Sequence, residues 1–457
     1  MKKNVLIKQN ASIKEAMRSI DHSGLRAVYV VDNENRLLGV VSDSEIRKSI
    51  IKGKDIKSPV KDIVKENPVV LHEKDLNDPV IIRKTVQKLR SRMPDARQIL
   101  VLNSQGKPRQ LAFIYRLLSQ KKNKHDTEHS GKNILVVGGA GYLGSVLVRK
   151  LLAKGYRVRV LDVLMFGRKP LEELLGNKRF ELIEGDMRDI SVLVRSLEGI
   201  DAVINLAAVV GDPACKSTPE RTIETNYLAN KALAEACKYN QINRFIYAST
   251  CSVYGVMTGD KHLDENSALN PVSLYARSKI QSEEGILSLV DENFSPTILR
   301  MGTLYGYSPR MRFDLVVNAM TKTAVLEKKI IVHNGGKQWR PLLEINDAAE
   351  AYIECLEAPV SRIKGAIFNV GSDEQNYQII QMGQAVKRCV PDAELIIQEG
   401  SDDARNYLVS FGLIKKHLRY KAMNSLYDAV MRIKQAIIDK EIDKLDDKIY
   451  YNVEYNK

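Results

Sequence analysis

Tyr275 and Lys279 stand four residues apart in the run Asn270-Pro271-Val272-Ser273-Leu274-Tyr275-Ala276-Arg277-Ser278-Lys279. Pro271 suits a helix start, and the spacing puts a phenol and an ammonium on one helix face, one turn apart. A free tyrosine, with pKa ~10, is a poor base at neutral pH. A nearby positive charge favours its phenolate, which would then take a proton from a hydroxyl as a hydride leaves the same carbon. The spacing alone arises by chance in many helices. It acquires meaning only if the chain also builds a hydride-acceptor site and delivers the pair to it.

Residues 133–162, NILVVGGAGYLGSVLVRKLLAKGYRVRVLD, read as such a site. The apolar run 134–137 suits a parallel strand covered on both faces. Gly138, Gly139, Gly141 and Gly144 then permit a sharp turn and remove the Cβ atoms that would keep a pyrophosphate from the next helix N-terminus. Gly138, Gly141, Tyr142, Leu143 and Gly144 are the expected cofactor contacts. Asp162 closes the second strand, where a carboxylate binds adenosine ribose hydroxyls and repels a 2′-phosphate, favouring NAD over NADP. The alternative is a glycine turn with a structural role alone.

Further strands and helices alternate, which predicts a doubly wound parallel sheet. Strand 180–183 leads to Asp186 and Met187, placed to meet the adenine amino group and ring face; Asp189 equally suits a helix cap. Strand 202–206 ends at Leu206, a further expected cofactor contact, and is followed by Ala207 and Ala208, small enough for a cofactor to pass closely. A fifth strand, 244–248, ends in Ser249-Thr250-Cys251-Ser252-Val253-Tyr254-Gly255.

With these motifs in place, residues 132 to about 420 resemble an extended short-chain dehydrogenase/reductase of the nucleotide-sugar epimerase/dehydratase type. The resemblance implies a catalytic set of Thr250, Tyr275, Lys279 and Asn226, with Thr250 on the reacting oxygen and Asn226 helping to place the lysine through water. Helix packing is the other reading of Asn226. Dehydratases of the family carry Asp-Glu after the threonine, and xylose-forming decarboxylases a glutamate. Cys251-Ser252 here supplies no acid for a leaving hydroxyl, and 3,5-epimerising members place their cysteine at the position of Ser252. The resemblance further implies sugar-nucleotide contacts from Thr250, Thr303 (where an asparagine is usual), Arg312, Arg340 and Arg405. For Arg340 the role is the substrate diphosphate, which suits a bidentate guanidinium. An ordinary ion pair is the alternative for Arg340 and Arg405, and Asp347 suits a helix cap.

Ahead of this unit, residues 4–120 show two similar passes. A helix near 13–20, strands 27–31 and 37–41 and a helix 43–51 are followed by a helix near 80–91, strand 99–102 and segment 110–118. They resemble a tandem CBS pair, through Leu38-Gly39-Val40-Val41-Ser42-Asp43-Ser44-Glu45. That resemblance implies an adenine nucleotide effector at Ser42 and Glu45; the alternative is a dimer-forming module. Residues 121–131 read as a polar linker, in which His125 and His129 are not expected to hold a metal. A helix is expected from 420 through 448, followed by the tail YYNVEYNK, with no function assigned to either.

The bulk figures agree. Of 457 residues, 44% are hydrophobic and 28% charged, as in a soluble globular protein. No apolar run approaches the roughly 18 residues of a membrane span. Cys215, Cys237, Cys251, Cys355 and Cys389 lack metal spacing and suggest reduced thiols in the cytoplasm. Most of the net charge of +14 falls before residue 131; without interleaved stacking aromatics it predicts a solvated basic face or an anionic effector, and no nucleic acid.

The expected fold class is α/β: a Rossmann-type doubly wound parallel sheet (core 132–300) with a smaller C-terminal substrate-binding region (301–457), preceded by an α+β CBS-like pair (1–120). The expected function is NAD-dependent nucleotide-sugar epimerisation at C4, in a homodimer or higher homo-oligomer. A keto-sugar reductase and a non-catalytic NAD and adenylate sensor are the alternatives.

Overall fold

In the strand Asn133–Val137 (β1), Ile134 and Val136 enter one apolar cluster while Leu135 and Val137 enter another. This is the period-two signature of a strand buried on both faces. Arg157–Asp162 (β2), Phe180–Glu184 (β3), Ala202–Asn205 (β4), Arg244–Thr250 (β5), Ser295–Met301 (β6) and Ile367–Val370 (β7) complete a sheet in the order β3-β2-β1-β4-β5-β6-β7. Every pairing in it is parallel. Helices Tyr142–Ala153 and Ile345–Glu357 cover one face. Helices Ile190–Ser196, Asn230–Tyr239 and Leu274–Leu287 cover the other.

The computed structural model describes residues 5–23, 27–76, 78–93, 98–114, 117, 132–257, 262–400 and 405–452. The chain divides into two compact units, Met1–Asp126 and Thr127–Lys457. The expected linker at 121–131 and part of the basic run at 83–97 lie outside the described residues.

The C-terminal part of the larger unit adds a three-stranded sheet, Thr303–Tyr305, Trp339–Glu344 and Asn376–Gln378, and a two-stranded one, Lys329–Val332 with Glu394–Ile397. Helices Val316–Glu327, Ile379–Cys389 and Leu426–Ile438 close a third apolar cluster through Met320, Val386 and Val430. The single helix expected from 420 to 448 is instead confined to Leu426–Ile438. Lys440 and Lys444 adopt left-handed φ of 55° and 46°, conformations that an α-helix does not accommodate, and the chain beyond Ile438 turns back as an irregular segment.

In the smaller unit the two passes share a topology. Leu6–Lys8 runs parallel to Ala27–Val31, which pairs antiparallel with Leu37–Ser42. Leu71–His72, Gln98–Leu102 and Pro108–Phe113 repeat that pattern. Both hairpins carry a register shift at the equivalent place, Val30/Val31 and Val101/Leu102, and Leu37 N donates to Gly106 O at 3.2 Å between the halves.

Candidate active site

The carboxyl ends of β1, β2, β4, β5 and β6 open into a cavity of about 350 Å³. The chain leaves β1 and β4 toward opposite edges of the sheet there, the switch point at which doubly wound sheets take ligands. Gly138 has φ +82°, and a Cβ on it would lie 2.8 Å from the Ala207 amide nitrogen. A Cβ on Gly144 would lie 2.3 Å from Gly138 O. The helix Tyr142–Ala153 starts at Gly141 with no side-chain cap, so its first amides are left for an anion. Asp162 accepts from Ala140 N at 2.8 Å and Leu164 N at 2.9 Å, while burial pushes its carboxyl up. These residues fit a dinucleotide: a glycine turn packed too closely against neighbouring backbone to admit a Cβ at Gly138 or Gly144, a capless helix start, and a carboxylate fixed at the end of β2.

Tyr142, Leu143, Met187, Leu206, Ala207 and Ala208 line the same cavity. Asp186 also lines it, but its carboxylate is gripped by Arg188 at 2.8 Å, which holds it below the usual range. An adenine amino group would therefore share Asp186 with Arg188 instead of meeting a free acid.

At the β5 end, Thr250 Oγ1 accepts from Ser252 N at 3.1 Å. The helix Leu274–Leu287 begins where Ser273 accepts from Ala276 N at 3.2 Å, and one turn brings Tyr275 and Lys279 to the cavity. Lys279 Nζ donates to Ala248 O at 2.7 Å and lies 5.9 Å from the Tyr275 ring centroid. The ammonium thus bonds to the end of β5 and stands off the phenol ring. Burial pushes the Tyr275 phenol up and the Lys279 ammonium down to about 8.

The shift at Lys279 makes a stability prediction. Its folded pKa of about 8 lies below the unfolded ~10.4, so between those values the unfolded chain binds more protons and stability rises with pH. Below pH 8 the buried charge costs about 3 kcal/mol, set against about 1 kcal/mol from the bond to Ala248. Lys279→Met is expected to be more stable than the parent at pH 7, with the gap narrowing by pH 9.5. Denaturant unfolding at both pH values measures it; a variant that is less stable at pH 7, by a margin independent of pH, contradicts the assignment.

A family model for the NAD dependent epimerase/dehydratase family matches residues 134–371, just over half of the chain. The chain belongs to that family. A CBS domain model matches residues 1–52. A UDP-glucose epimerase of Bacillus subtilis (strain 168), YtcB, itself uncharacterized, is 31% identical over 53% of this chain and 77% of its own length. A UDP-N-acetyl-alpha-D-glucosaminuronate decarboxylase of Bacillus cytotoxicus is 28% identical over 58% of this chain and 83% of its own. Among solved structures, UDP-glucuronic acid 4-epimerase from Bacillus cereus, in complex with UDP-glucuronic acid and NAD, superposes with TM-score 0.62 at 25% identity. It covers 67% of this chain and 99% of that one. NAD is the cofactor of this epimerase/dehydratase.

Within the family member, Asn226 sits in a π-helical segment, Glu224–Ala229, and is fully buried. Its amide clamps Val209, accepting from Val209 N at 2.8 Å and donating to Val209 O at 2.9 Å, and also donates to Ser278 Oγ at 3.2 Å. It does not line the cavity; its link to Lys279 runs through the neighbouring Ser278 of the same helix. Thr303, Arg312 and Arg405 do line the cavity. Arg312 is forked onto Asp314 at 3.0 and 2.5 Å, and Arg405 pairs with Asp212 at 3.2 Å. Arg340, expected on the substrate diphosphate, is 5% exposed and outside the lining. It donates to Arg405 O at 2.5 Å, which corrects its place from a wall residue to a support behind Arg405. Strand Trp339–Glu344 is the central strand of its three-stranded sheet and is buried at every position from Arg340 to Glu344, so Arg340 is buried with the rest.

Sequence reasoning passed over Arg310, Tyr407 and Asn452, which also line the cavity. Arg310 and Tyr407 each stand two residues from a chosen arginine, a signal available beforehand; Asn452 had none. In the smaller unit, Ser42 and Glu45 form a capping box at the helix Asp43–Ile51, hydrogen-bonded to each other. Both candidate effector contacts are therefore already engaged, and a ribose would have to displace that bond. Among the described residues no helix is long and apolar enough to cross a membrane, and no His, Cys, Asp or Glu group is arranged to hold a metal ion.

Proposed function

We propose that this chain epimerises a nucleotide-linked sugar at C4 through a transient 4-keto sugar. NAD, when bound, supplies the acceptor and the returning donor of the C4 hydride. Tyr275 takes the C4 hydroxyl proton and gives it back after the sugar has turned over, and Thr250 holds the same oxygen. Lys279 keeps a positive charge fixed on Ala248 O beneath the phenol, countering the burial that otherwise keeps Tyr275 protonated. Asn226 and Ser278 position that helix turn. Arg405, supported by Arg340, and Arg312 bind the substrate diphosphate in this reading, each exchanging an aspartate for a phosphate oxygen.

The observation that carries the reading is the Thr250-Cys251-Ser252 turn. Cys251 is buried, directs its thiol to Arg300 O at 3.3 Å, and has its pKa driven well up by burial. Ser252 faces the cavity instead, 3.3 Å from the Tyr407 hydroxyl. The carboxylates lining the cavity, Asp162 and Asp186, belong to the cofactor end. No carboxylic acid in the described lining flanks Thr250 to protonate a leaving hydroxyl, which favours epimerisation over dehydration.

The test is a panel of UDP- and dTDP-hexoses incubated with the full chain, followed by proton NMR and by absorbance at the reduced-nicotinamide band. An epimer pair approaching equilibrium with no net change in NADH is expected. Net consumption of reduced cofactor with a keto-sugar replaces the reading with a reductase; bound NAD without turnover of any sugar nucleotide replaces it with a sensor. An adenine nucleotide at the CBS-type unit is a regulatory element of the same proposal.

A further inference from the structure

Beyond Ile438 the chain folds back onto the cofactor side of the larger unit. Asp446 pairs with Lys322, and Lys322 also donates to the Tyr451 hydroxyl at 2.7 Å. Phe313 N donates to Tyr450 O at 3.0 Å, and the two rings meet edge-on at 5.8 Å. These contacts deliver Asn452, 8% exposed, to the cavity wall beside Arg310. Arg310 Nη2 donates to Asn452 Oδ1 at 2.6 Å, and Asn452 Nδ2 lies 3.5 Å from Val210 O on the loop after β4.

Arg310 is in an unusual position for a cation. It is 3% exposed, its guanidinium carbon stacks 3.7 Å from the Phe166 ring centroid, and its Nε has no hydrogen-bond partner. Among the described residues no carboxylate pairs with it. Asp314 is taken by Arg312, and Asp162 is held by the amides of Ala140 and Leu164. Burial, and next the charge of Arg312, push Arg310 down to about 9. A buried guanidinium without an ion pair is strongly disfavoured unless an anion joins it. The same cavity holds the glycine turn and the capless start of Tyr142–Ala153, both of which also favour an anion.

We propose that Arg310 is the side-chain cation for the cofactor's diphosphate, and that Asn452 is a positioning residue that aims it, so that docking of the C-terminal segment and retention of NAD are coupled. An arginine fork matches two phosphate oxygens, and the free Nε is the donor still to be used. The inference rests on NAD as the cofactor and not on the reaction performed, so it survives or fails independently of epimerisation.

The experiment uses the full chain freed of nucleotide, as parent, Arg310→Met and Asn452→Ala, titrated calorimetrically with NAD, ADP-ribose and adenosine. Arg310→Met is expected to weaken NAD and ADP-ribose by roughly 10–100-fold, and Asn452→Ala by roughly 3–10-fold. Adenosine, which has no diphosphate, should bind all three proteins alike. Thermal midpoints without ligand should not fall for Arg310→Met, since a buried charge is removed, whereas the NAD-induced rise in midpoint should shrink. An equal loss for adenosine would mean a distorted pocket and overturn the proposal, as would undiminished NAD binding in Arg310→Met. A loss confined to Arg310→Met overturns the part given to the C-terminal segment. If Arg310→Met does not fold, Asn452→Ala decides by the same comparison of ADP-ribose with adenosine.

Discussion

Tyr275→Phe is expected to slow turnover of the sugar nucleotide by roughly 10²–10⁴-fold, the usual range for removing a positioned general base. The phenyl ring keeps its packing against Val209, Ala214 and Cys215, so the change of one oxygen leaves the fold and the glycine cradle in place. NAD should bind within a few-fold of the parent value. Single-turnover kinetics with enzyme-bound NAD isolates the step, and the pH profile gives a second check. Because burial pushes the parent phenol up and Lys279 titrates near 8, parent activity should climb from neutral pH toward about 8. The residual activity of the variant should lack that limb. Unchanged turnover in Tyr275→Phe would remove the phenol from the mechanism.

The second large effect concerns stability. Arg300 on β6 and Glu283 on the helix Leu274–Leu287 form an ion pair at 2.7 Å, with side chains 3% and 4% exposed. Glu283 also accepts from Ser249 Oγ, and Arg300 donates to the Tyr254 hydroxyl at 3.1 Å. One carboxylate thus ties the end of β5, β6 and the catalytic helix together. Glu283→Ala leaves a guanidinium buried without its partner and should cost about 3–5 kcal/mol in unfolding free energy. Glu283→Gln, which keeps one of the two acceptor oxygens and the side-chain volume, should cost less. Urea unfolding of the full chain, followed by the fluorescence of Trp339, measures both. A loss below about 1 kcal/mol in Glu283→Ala would mean that solvent reaches Arg300 and that the pair does not brace the site.

Local pattern determined a good deal of this protein. The four glycines, the strand runs of β1 and β2 and Asp162 lie within thirty residues, so the turn, the helix start and the fixed carboxylate follow from backbone sterics and hydrogen bonding over short distances. Tyr275 and Lys279 were readable for the same reason, since helical spacing alone sets them one turn apart. The two passes of the smaller unit were legible as repeats of strand and turn. Spacing did not reveal that Lys279 would hold Ala248 O while Tyr275 stays 5.9 Å away, because that distance depends on how deeply the helix packs against β5.

Tertiary structure decided which of the polar residues face the cavity. Arg340 and Arg405 look alike as candidates, yet a strand buries the first behind the backbone of the second. Cys251 and Ser252 are neighbours, yet the turn at the end of β5 sends the thiol to Arg300 O and leaves the hydroxyl at the cavity. Arg310 and Asn452 are 142 residues apart, and no local periodicity joins them. Sequence by itself determined the cofactor cradle and the catalytic spacing, because those are consequences of dihedral and helical geometry. Only the fold decided the lining, because side-chain direction at a long-range contact is set by packing between elements and not by the residues on either side.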